Sequence, residues 1–130
     1  MKRLGNAVTF FRRPDGTLIG YRAQGHTGYA EAGQDIVCAA VSALTQSTLN
    51  GLRSVLKAPV MFDIDDQGAT LEAELTPEAT GEQVKQAQLL LVTLLEGLQA
   101  IERSYPRKFA YSSKNGGKAH VHDESSALRA

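Results

Sequence analysis

Residues 8–24 read VTFFRRPDGTLIGYRAQ and set the pattern of the fold. Two runs rich in β-branched and aromatic residues, 8–12 and 17–24, flank the tripeptide Pro14-Asp15-Gly16. The fixed φ of proline and the permissive backbone of glycine suit a tight reversal of the chain. We therefore predict an antiparallel β-hairpin near the N-terminus.

A helix and a second strand pair follow the hairpin. Asp35 is well placed to cap a helix that runs to about residue 57 and ends before Pro59. Strand patterns at 60–65 and around 71–75 then flank a turn at 66–68. The second of these strands alternates apolar and polar side chains, which is typical of a strand with one exposed face.

The second helix is predicted to begin at a capping box formed by Thr80 and Gln83. Its apolar residues form one regular stripe at 84, 87, 91, 94, 98 and 101. Four further apolar residues lie off that stripe, namely Leu89, Leu90, Val92 and Leu95. Two interpretations follow: the helix is covered on all sides within the domain, or its extra apolar surface is a subunit interface.

Pro106 ends the second helix, and residues 107–111 are a candidate fifth strand. The element order ββαββα(β) predicts an α+β fold, a two-layer sandwich with a mainly antiparallel sheet and two helices. We expect one domain over residues 1–111. The polar segment 112–130 is predicted to be a mostly disordered tail, because it has too few apolar residues to offset the entropy lost on ordering.

Composition limits the classes of function. The chain has 130 residues and a formal net charge of zero, which argues against a broad nucleic-acid surface. Its single cysteine excludes an internal disulfide. No stretch approaches the roughly 18 apolar residues of a membrane span, and residues 1–6 lack the apolar run of a signal peptide. We expect a cytoplasmic protein with no membrane or nucleic-acid partner.

Cys38 and His26 carry the clearest catalytic signal. Cys38 lies at the start of the first predicted helix, and His26 lies in a loop that contains Gly25, Gly28 and Gly33. The positive end of the helix dipole favours a thiolate, and a loop that folds back would bring the imidazole to the sulfur as a base. Backbone N–H groups at the helix start, including that of Cys38, would bind the oxyanion. The alternative is a buried structural thiol and an ordinary polar histidine.

Asp35 and Ser42 lie one helical turn before and after Cys38, so both can share its face. Asp35 either orients His26 or caps the helix, and the preference of caps for Asp favours the second role. Ser42 either hydrogen-bonds the thiolate or a substrate oxygen, or bonds back to a helix carbonyl.

Metal and cofactor sites are not predicted. His26, Asp35 and Cys38 are permitted zinc ligands, and His120 and His122 would add two more. Their spacing fits none of the paired short-range patterns of zinc sites. The glycines at 25–33 follow neither the dinucleotide-binding nor the P-loop spacing, so we expect no cofactor.

The run from Gly25-His26 through Asp35-Ile36-Val37-Cys38 to Ser42 resembles the bacterial ribosomal-processing cysteine protease family. The resemblance covers about residues 5–111 in the order and type of elements. Thr27 and Ala40 stand where the family often has Ala and Gly, changes that remove no reactive group. The tail after residue 111 has no counterpart in the family.

The resemblance implies a cysteine endopeptidase with a Cys38–His26 dyad, supported by Asp35 and Ser42. It further implies a homodimer that removes the N-terminal extension of the twenty-seventh large-subunit ribosomal protein, with cleavage after a pair of aromatic residues. A competing hypothesis from a different class is a non-catalytic ribosome-assembly binding module in which Cys38 and His26 are structural.

Overall fold

The protein folds as helices packed on a six-stranded sheet. A computed structural model describes residues 6–25, 34–65, 70–105, 109–115 and 125–128. The elements in chain order are β1 Asn6–Arg12, β2 Leu18–Gln24, α1 Gln34–Asn50, a π-helical turn Gly51–Val55, β3 Val60–Asp65, β4 Thr70–Leu75, α2 Gly81–Ser104, β5 Phe109–Asn115 and β6 Ser125–Leu128.

The strands lie in the order β3-β4-β2-β1-β5-β6. All neighbouring pairs are antiparallel except β1 and β5, which are parallel. The predicted α+β class, the ββαββα(β) order and the mainly antiparallel sheet are confirmed.

The C-terminal segment differs from the sequence prediction. The fifth strand begins at Phe109 and continues past residue 111 to Asn115, and β6 occupies Ser125–Leu128. β5 pairs with β1 and β6 pairs with β5, so strand residues occur within 112–130. The pairing with β1 is a long-range contact that local composition does not reveal. The disorder predicted for the tail as a whole stays a prediction. The division of the chain at residue 111 stays a prediction.

The β1–β2 turn has the predicted geometry. Gly16 has a φ of +94°, which favours glycine, and its amide donates to the Arg13 carbonyl at 2.8 Å. The Arg13 amide donates to the Thr17 carbonyl, also at 2.8 Å. The Asp15 carboxylate accepts the Thr17 amide at 2.9 Å, and this hydrogen bond lowers the pKa of Asp15. The predicted second turn, 66–68, lies outside the described residues.

One face of the sheet is covered by the helices. Because side chains alternate along a strand, the register places one set of residues from β1, β2 and β4 on the same inner face. These residues are buried in one cluster with residues of α1 and α2. From the strands they are Val8, Phe10, Tyr21, Ala23, Leu71 and Ala73, and from the helices they include Val37, Val41, Leu49, Leu52, Leu91, Leu94 and Leu98.

The first helix widens at its end. The Leu56 amide donates to the Gly51 carbonyl at 2.9 Å, which is the π-helical pattern, and Lys57 then takes a left-handed φ of 55°. Gly51 permits close packing here, because a Cβ on it would lie 2.9 Å from Leu90 Cδ1 of α2. The predicted end near residue 57 is confirmed, and the widening is a feature that the sequence pattern does not reveal.

The second helix has the predicted capping box. The Gln83 amide donates to the Thr80 hydroxyl at 3.1 Å, and the Thr80 amide donates to the Gln83 side chain at 2.9 Å. Its predicted stripe is buried from Val84 to Leu98 and half-buried at Ile101.

The apolar residues of α2 outside the stripe divide into two groups. Leu90 and Leu95 pack against the core, whereas Leu89 is 73% exposed and Val92 is 41% exposed. The interpretation that the domain covers this helix on all sides is therefore wrong, since the domain leaves two large apolar side chains open. Among the described helices, none is long and apolar enough to cross a membrane.

Candidate active site

The reactive thiol lies at the edge of the buried helix face. Cys38 is the fifth residue of the described α1, and its thiol, which forms no disulfide, is half-buried. Val37 and Val41 beside it are buried, whereas Ser42, one turn further on, is exposed. Cys38 therefore combines a position near the helix N-terminus with access from solvent, as a nucleophile requires.

The side of α1 that contains Cys38 becomes more buried toward the end of the helix. Cys38 and Ser42 are accessible, but Thr45, Leu49 and Leu52 on the same side of the helix are buried. The N-terminal turns of α1 thus extend to the rim of the core, and its later turns pack within it. The predicted pairing of Cys38 and Ser42 on one face agrees with this pattern.

Helix geometry bears on one detail of the predicted site. The described part of α1 begins at Gln34, so Asp35 lies in its first turn, and whether Asp35 caps the helix or orients His26 stays a prediction. The i to i−4 pattern also pairs the Cys38 amide with the Gln34 carbonyl. The Cys38 amide is therefore bonded within the helix and does not bind an oxyanion, whereas amides nearer the helix start can do so.

A buried tyrosine ties the strand before the His26 loop to the helix after it. The Tyr21 hydroxyl of β2 donates to the Thr45 carbonyl of α1 at 2.6 Å, and Tyr21 is fully buried. Burial raises the pKa of Tyr21 above its ordinary value of 10.0. Tyr21 is five residues before His26, and Thr45 is seven residues after Cys38, so this bond fixes the scaffold on both sides of the predicted dyad.

The sheet register shows which end of the fold carries Cys38. The turn after α1 leads into β3, and the first residue of β3, Val60, pairs with Leu75 of β4. The neighbouring residue of β4, Glu74, pairs with Gly20 near the start of β2. The C-terminal end of α1 therefore lies level with the start of β2. The Thr45 contact is near the middle of β2, and Cys38 is about 10 Å further toward the helix N-terminus. Cys38 accordingly lies toward the end of the sheet where β2 ends.

The remaining predicted site residues divide between described and undescribed parts of the chain. Gly25 is half-buried and directly follows β2. His26, Gly28 and Gly33 lie outside the described residues, as does the side chain of Asp35. The described ranges contain no group of three or more His, Cys, Asp and Glu side chains that could hold a metal ion. His120 and His122 also lie outside those ranges.

Strand β3 carries a second accessible feature, which the sequence pattern misses. Met61, Phe62 and Ile64 are all exposed, although they are large apolar side chains. The guanidinium carbon of Arg53 lies 4.2 Å from the centroid of the Phe62 ring. An open pocket of about 340 Å³ runs along this strand and is bordered by Met61, Phe62, Asp63, Glu72 and Glu74.

Comparison with known proteins identifies the class of this chain as a cysteine peptidase. Residues 7–110 match the family model described as cysteine protease Prp. The chain belongs to that family, and the family and enzyme class predicted from the sequence are confirmed.

Curated and solved relatives agree with this assignment. The ribosomal processing cysteine protease Prp of Bacillus subtilis (strain 168) is 31% identical over 98 residues, which cover 75% of this chain and 88% of the relative. A crystal structure of a Streptococcus mutans protein has a TM-score of 0.73 at 28% identity, covering 86% of this chain and 96% of that one. An essential ribosomal processing protease Prp from Staphylococcus aureus, in complex with a substrate peptide, has a TM-score of 0.73 at 27% identity, covering 84% and 99%.

Proposed function

We propose that the chain is an endopeptidase that processes a ribosomal protein, with Cys38 as nucleophile and His26 as general base. The observation that carries the proposal is the half-exposed thiol in the first turns of α1, in a chain whose residues 7–110 match a cysteine protease family. A thiol at this position combines the favourable field of the helix N-terminus with access for a peptide.

The reaction proceeds through a thioester. The proton of the Cys38 thiol passes to the His26 imidazole, and the thiolate attacks the carbonyl carbon of the scissile bond. When the C–N bond breaks, His26 gives the proton to the leaving amine. Water then gives a proton to His26 and attacks the thioester, after which the new carboxyl product leaves and the sulfur regains a proton. The free amides at the start of α1 bind the oxyanion.

Two neighbours on α1 support the dyad. Asp35 in the first turn orients His26 or adds a negative charge near the helix N-terminus, where such a charge is stabilising. Ser42 is exposed one turn after Cys38 and hydrogen-bonds the thiolate or a substrate oxygen. Gly25, Gly28 and Gly33 belong to the loop that brings His26 to the sulfur.

The substrate is the N-terminal extension of the twenty-seventh large-subunit ribosomal protein, cleaved after a pair of aromatic residues. The relative from Bacillus subtilis is called a ribosomal processing protease, and the Staphylococcus aureus relative binds a substrate peptide. Both support a ribosomal substrate for this chain. Such a substrate places the enzyme in the cytoplasm.

The enzyme acts as a homodimer through α2. The exposed side chains of Leu89 and Val92 lie outside the buried stripe of that helix, and an interface with a second copy would cover them. A subunit interface is the second of the two interpretations of the extra apolar side chains on α2, and the exposure of Leu89 and Val92 supports it.

Alkylation of the thiol separates a catalytic cysteine from a structural one. Iodoacetamide should label Cys38 rapidly in the folded protein, and the rate should fall about tenfold in His26→Ala, which lacks the base. The Ser47→Ala variant is a suitable control, because Ser47 is exposed on α1 and remote from the first turn. Labelling that is slow until the protein is denatured, and that is indifferent to His26→Ala, would favour the binding-module hypothesis.

A further inference from the structure

The free edge of β3 presents a regular set of backbone groups. Among the strands described, β3 pairs with β4 alone and so ends the sheet. The Thr76 amide donates to the Pro59 carbonyl at 3.0 Å in the same register. In an antiparallel pair, the backbone N–H and C=O groups of alternate residues point to the partner strand. The odd-numbered residues of β3 therefore direct these groups to β4. The N–H and C=O groups of Val60, Phe62 and Ile64 accordingly point to the open edge.

The inner face of β3 is apolar and only partly covered, since Val60 packs against the core and Arg53 lies over the Phe62 ring. Phe62 pairs with Ala73 and Ile64 pairs with Leu71, so their side chains share the face on which the helices pack. The two β4 residues are buried, whereas Phe62 is 43% exposed and Ile64 is 51% exposed. The helical layer therefore covers Phe62 and Ile64 only in part, and space for further side chains remains beside them.

The outer face of the same strands is acidic. By register, Asp63 and Asp65 of β3 lie beside Glu72 and Thr70 of β4, and Glu74 lies on the same face. Arg22 of β2 is the one basic side chain in these described rows of β2, β4 and β3. These described rows therefore carry four carboxylates and one guanidinium, and Asp63, Glu72 and Glu74 border the pocket of about 340 Å³.

The charge pattern decides which partner suits this edge. An exposed edge strand pairs readily with another extended chain. Pairing two copies of this protein through β3 would bring together two outer faces that each carry an excess of carboxylates, and their repulsion opposes that complex. A strand with basic side chains on its outer face meets the opposite charge instead.

We propose that β3 binds an extended peptide as an additional strand, and that this peptide alternates apolar and basic side chains. Its apolar residues pack beside Phe62 and Ile64 on the inner face, and its basic residues lie beside Asp63 on the outer face. The inference rests on the proposed peptidase function, because the peptide is a segment of the protein substrate. The inner face of β3 is on the same side of the sheet as α1, which carries Cys38.

Binding is measured without cleavage by using the Cys38→Ala protein. The probe is a fluorescent peptide of about ten residues in which Lys alternates with Val, and a matched peptide carries Glu in place of Lys. The Lys peptide should bind and the Glu peptide should not. Asp63→Lys should weaken binding of the Lys peptide about tenfold and strengthen binding of the Glu peptide. Ser47→Ala, at an exposed position of α1, should change neither.

Two substitutions at Phe62, one of them to proline, separate backbone pairing from side-chain contact. Phe62→Ala removes the ring but keeps the amide, whereas Phe62→Pro removes the amide that points to the open edge. Phe62→Pro should bind the Lys peptide about tenfold more weakly than Phe62→Ala does. Equal binding by the two variants would overturn the proposal.

Amide hydrogen exchange on the Cys38→Ala protein supplies a measurement that does not depend on the folding of the proline variant. Adding the Lys peptide should slow exchange at Phe62 and Ile64 and leave Asp63, already paired with β4, unchanged. Saturable binding with no protection at Phe62 and Ile64 would place the peptide elsewhere and contradict the proposal. Light scattering that shows a dimer lost in Phe62→Pro would instead assign the edge to a second copy. Because none of these readouts requires turnover, their failure is distinct from a failure of the peptidase assignment.

Discussion

Replacing Tyr21 with Phe tests whether the bond between β2 and α1 holds the scaffold of the site. The Tyr21 hydroxyl is fully buried and donates to the Thr45 carbonyl at 2.6 Å. Phenylalanine keeps the ring and its packing against Phe10, whose ring centroid lies 6.3 Å away. The substitution therefore removes one hydrogen bond and leaves the rest of the core in place.

The expected loss of stability is modest. A net contribution of about 1 kcal/mol is typical of one buried neutral hydrogen bond, and the Thr45 carbonyl then loses one partner. For a domain of this size, such a loss lowers the melting temperature by roughly 4 °C. Peptidase activity should fall as well, because the positions of the His26 loop and of Cys38 are then less firmly coupled.

Alkaline pH provides a second, independent readout. Burial raises the pKa of Tyr21 in the folded protein above its ordinary value of 10.0. The folded state thus holds the phenolic proton at pH values where the unfolded state has lost it. The stability associated with the neutral phenol is complete below pH 10.0 and is lost progressively as the pH rises toward the folded-state value. Tyr21→Phe should therefore lose less stability than the wild type above pH 10.0.

Urea denaturation followed by circular dichroism, at neutral pH and again at alkaline pH, measures both effects. Tyr105→Phe is the matched control, because Tyr105 is only half-buried at the end of α2. Two results together would show that the Tyr21–Thr45 hydrogen bond does not stabilise the fold. The first is an unchanged free energy of unfolding for Tyr21→Phe at neutral pH, and the second is a decrease in that free energy at alkaline pH equal to the decrease in the wild type.

Other variants test separate parts of the account. Cys38→Ala should fold normally and abolish peptide cleavage, whereas His26→Ala should reduce cleavage severely; both are measured by chromatography of a synthetic substrate. Gly20→Ala should destabilise the protein by about 2 kcal/mol in urea, because its Cβ would collide with the Ala73 carbonyl oxygen, and Gly81→Ala, with open space around its Cβ, should change stability little. Leu89→Lys should shift the mass measured by light scattering from dimer to monomer, and an unchanged dimer would place the interface elsewhere. Truncation after residue 111 removes the strand residues that extend β5 and all of β6, so a measurable loss of stability would show that the segment belongs to the domain.

The features predicted correctly from the sequence are local ones. The turn at Pro14-Asp15-Gly16 and the capping box at Thr80 depend on residues within a few positions of each other, so their chemistry is visible in the sequence. The buried stripe of α2 follows from helical periodicity in the same way.

The features that the sequence does not reveal depend on contacts between distant residues. The parallel pairing of β1 with β5 joins segments about a hundred residues apart. The Tyr21–Thr45 bond depends on how α1 crosses the sheet, and the exposure of Phe62 depends on where the helical layer ends. In the candidate site, the sequence identifies Cys38 and Ser42 as neighbours on one helix, and the role of Asp35 stays a prediction.

A mass measurement on the ribosomal protein itself tests most directly whether this enzyme cleaves it through Cys38. The extended twenty-seventh large-subunit ribosomal protein is incubated with the wild-type enzyme or with Cys38→Ala, and both mixtures are analysed by mass spectrometry. We expect the wild type to remove one N-terminal fragment ending in a pair of aromatic residues, and Cys38→Ala to leave the mass unchanged. An intact substrate after incubation with the wild type, or equal cleavage by folded Cys38→Ala, would contradict this expectation.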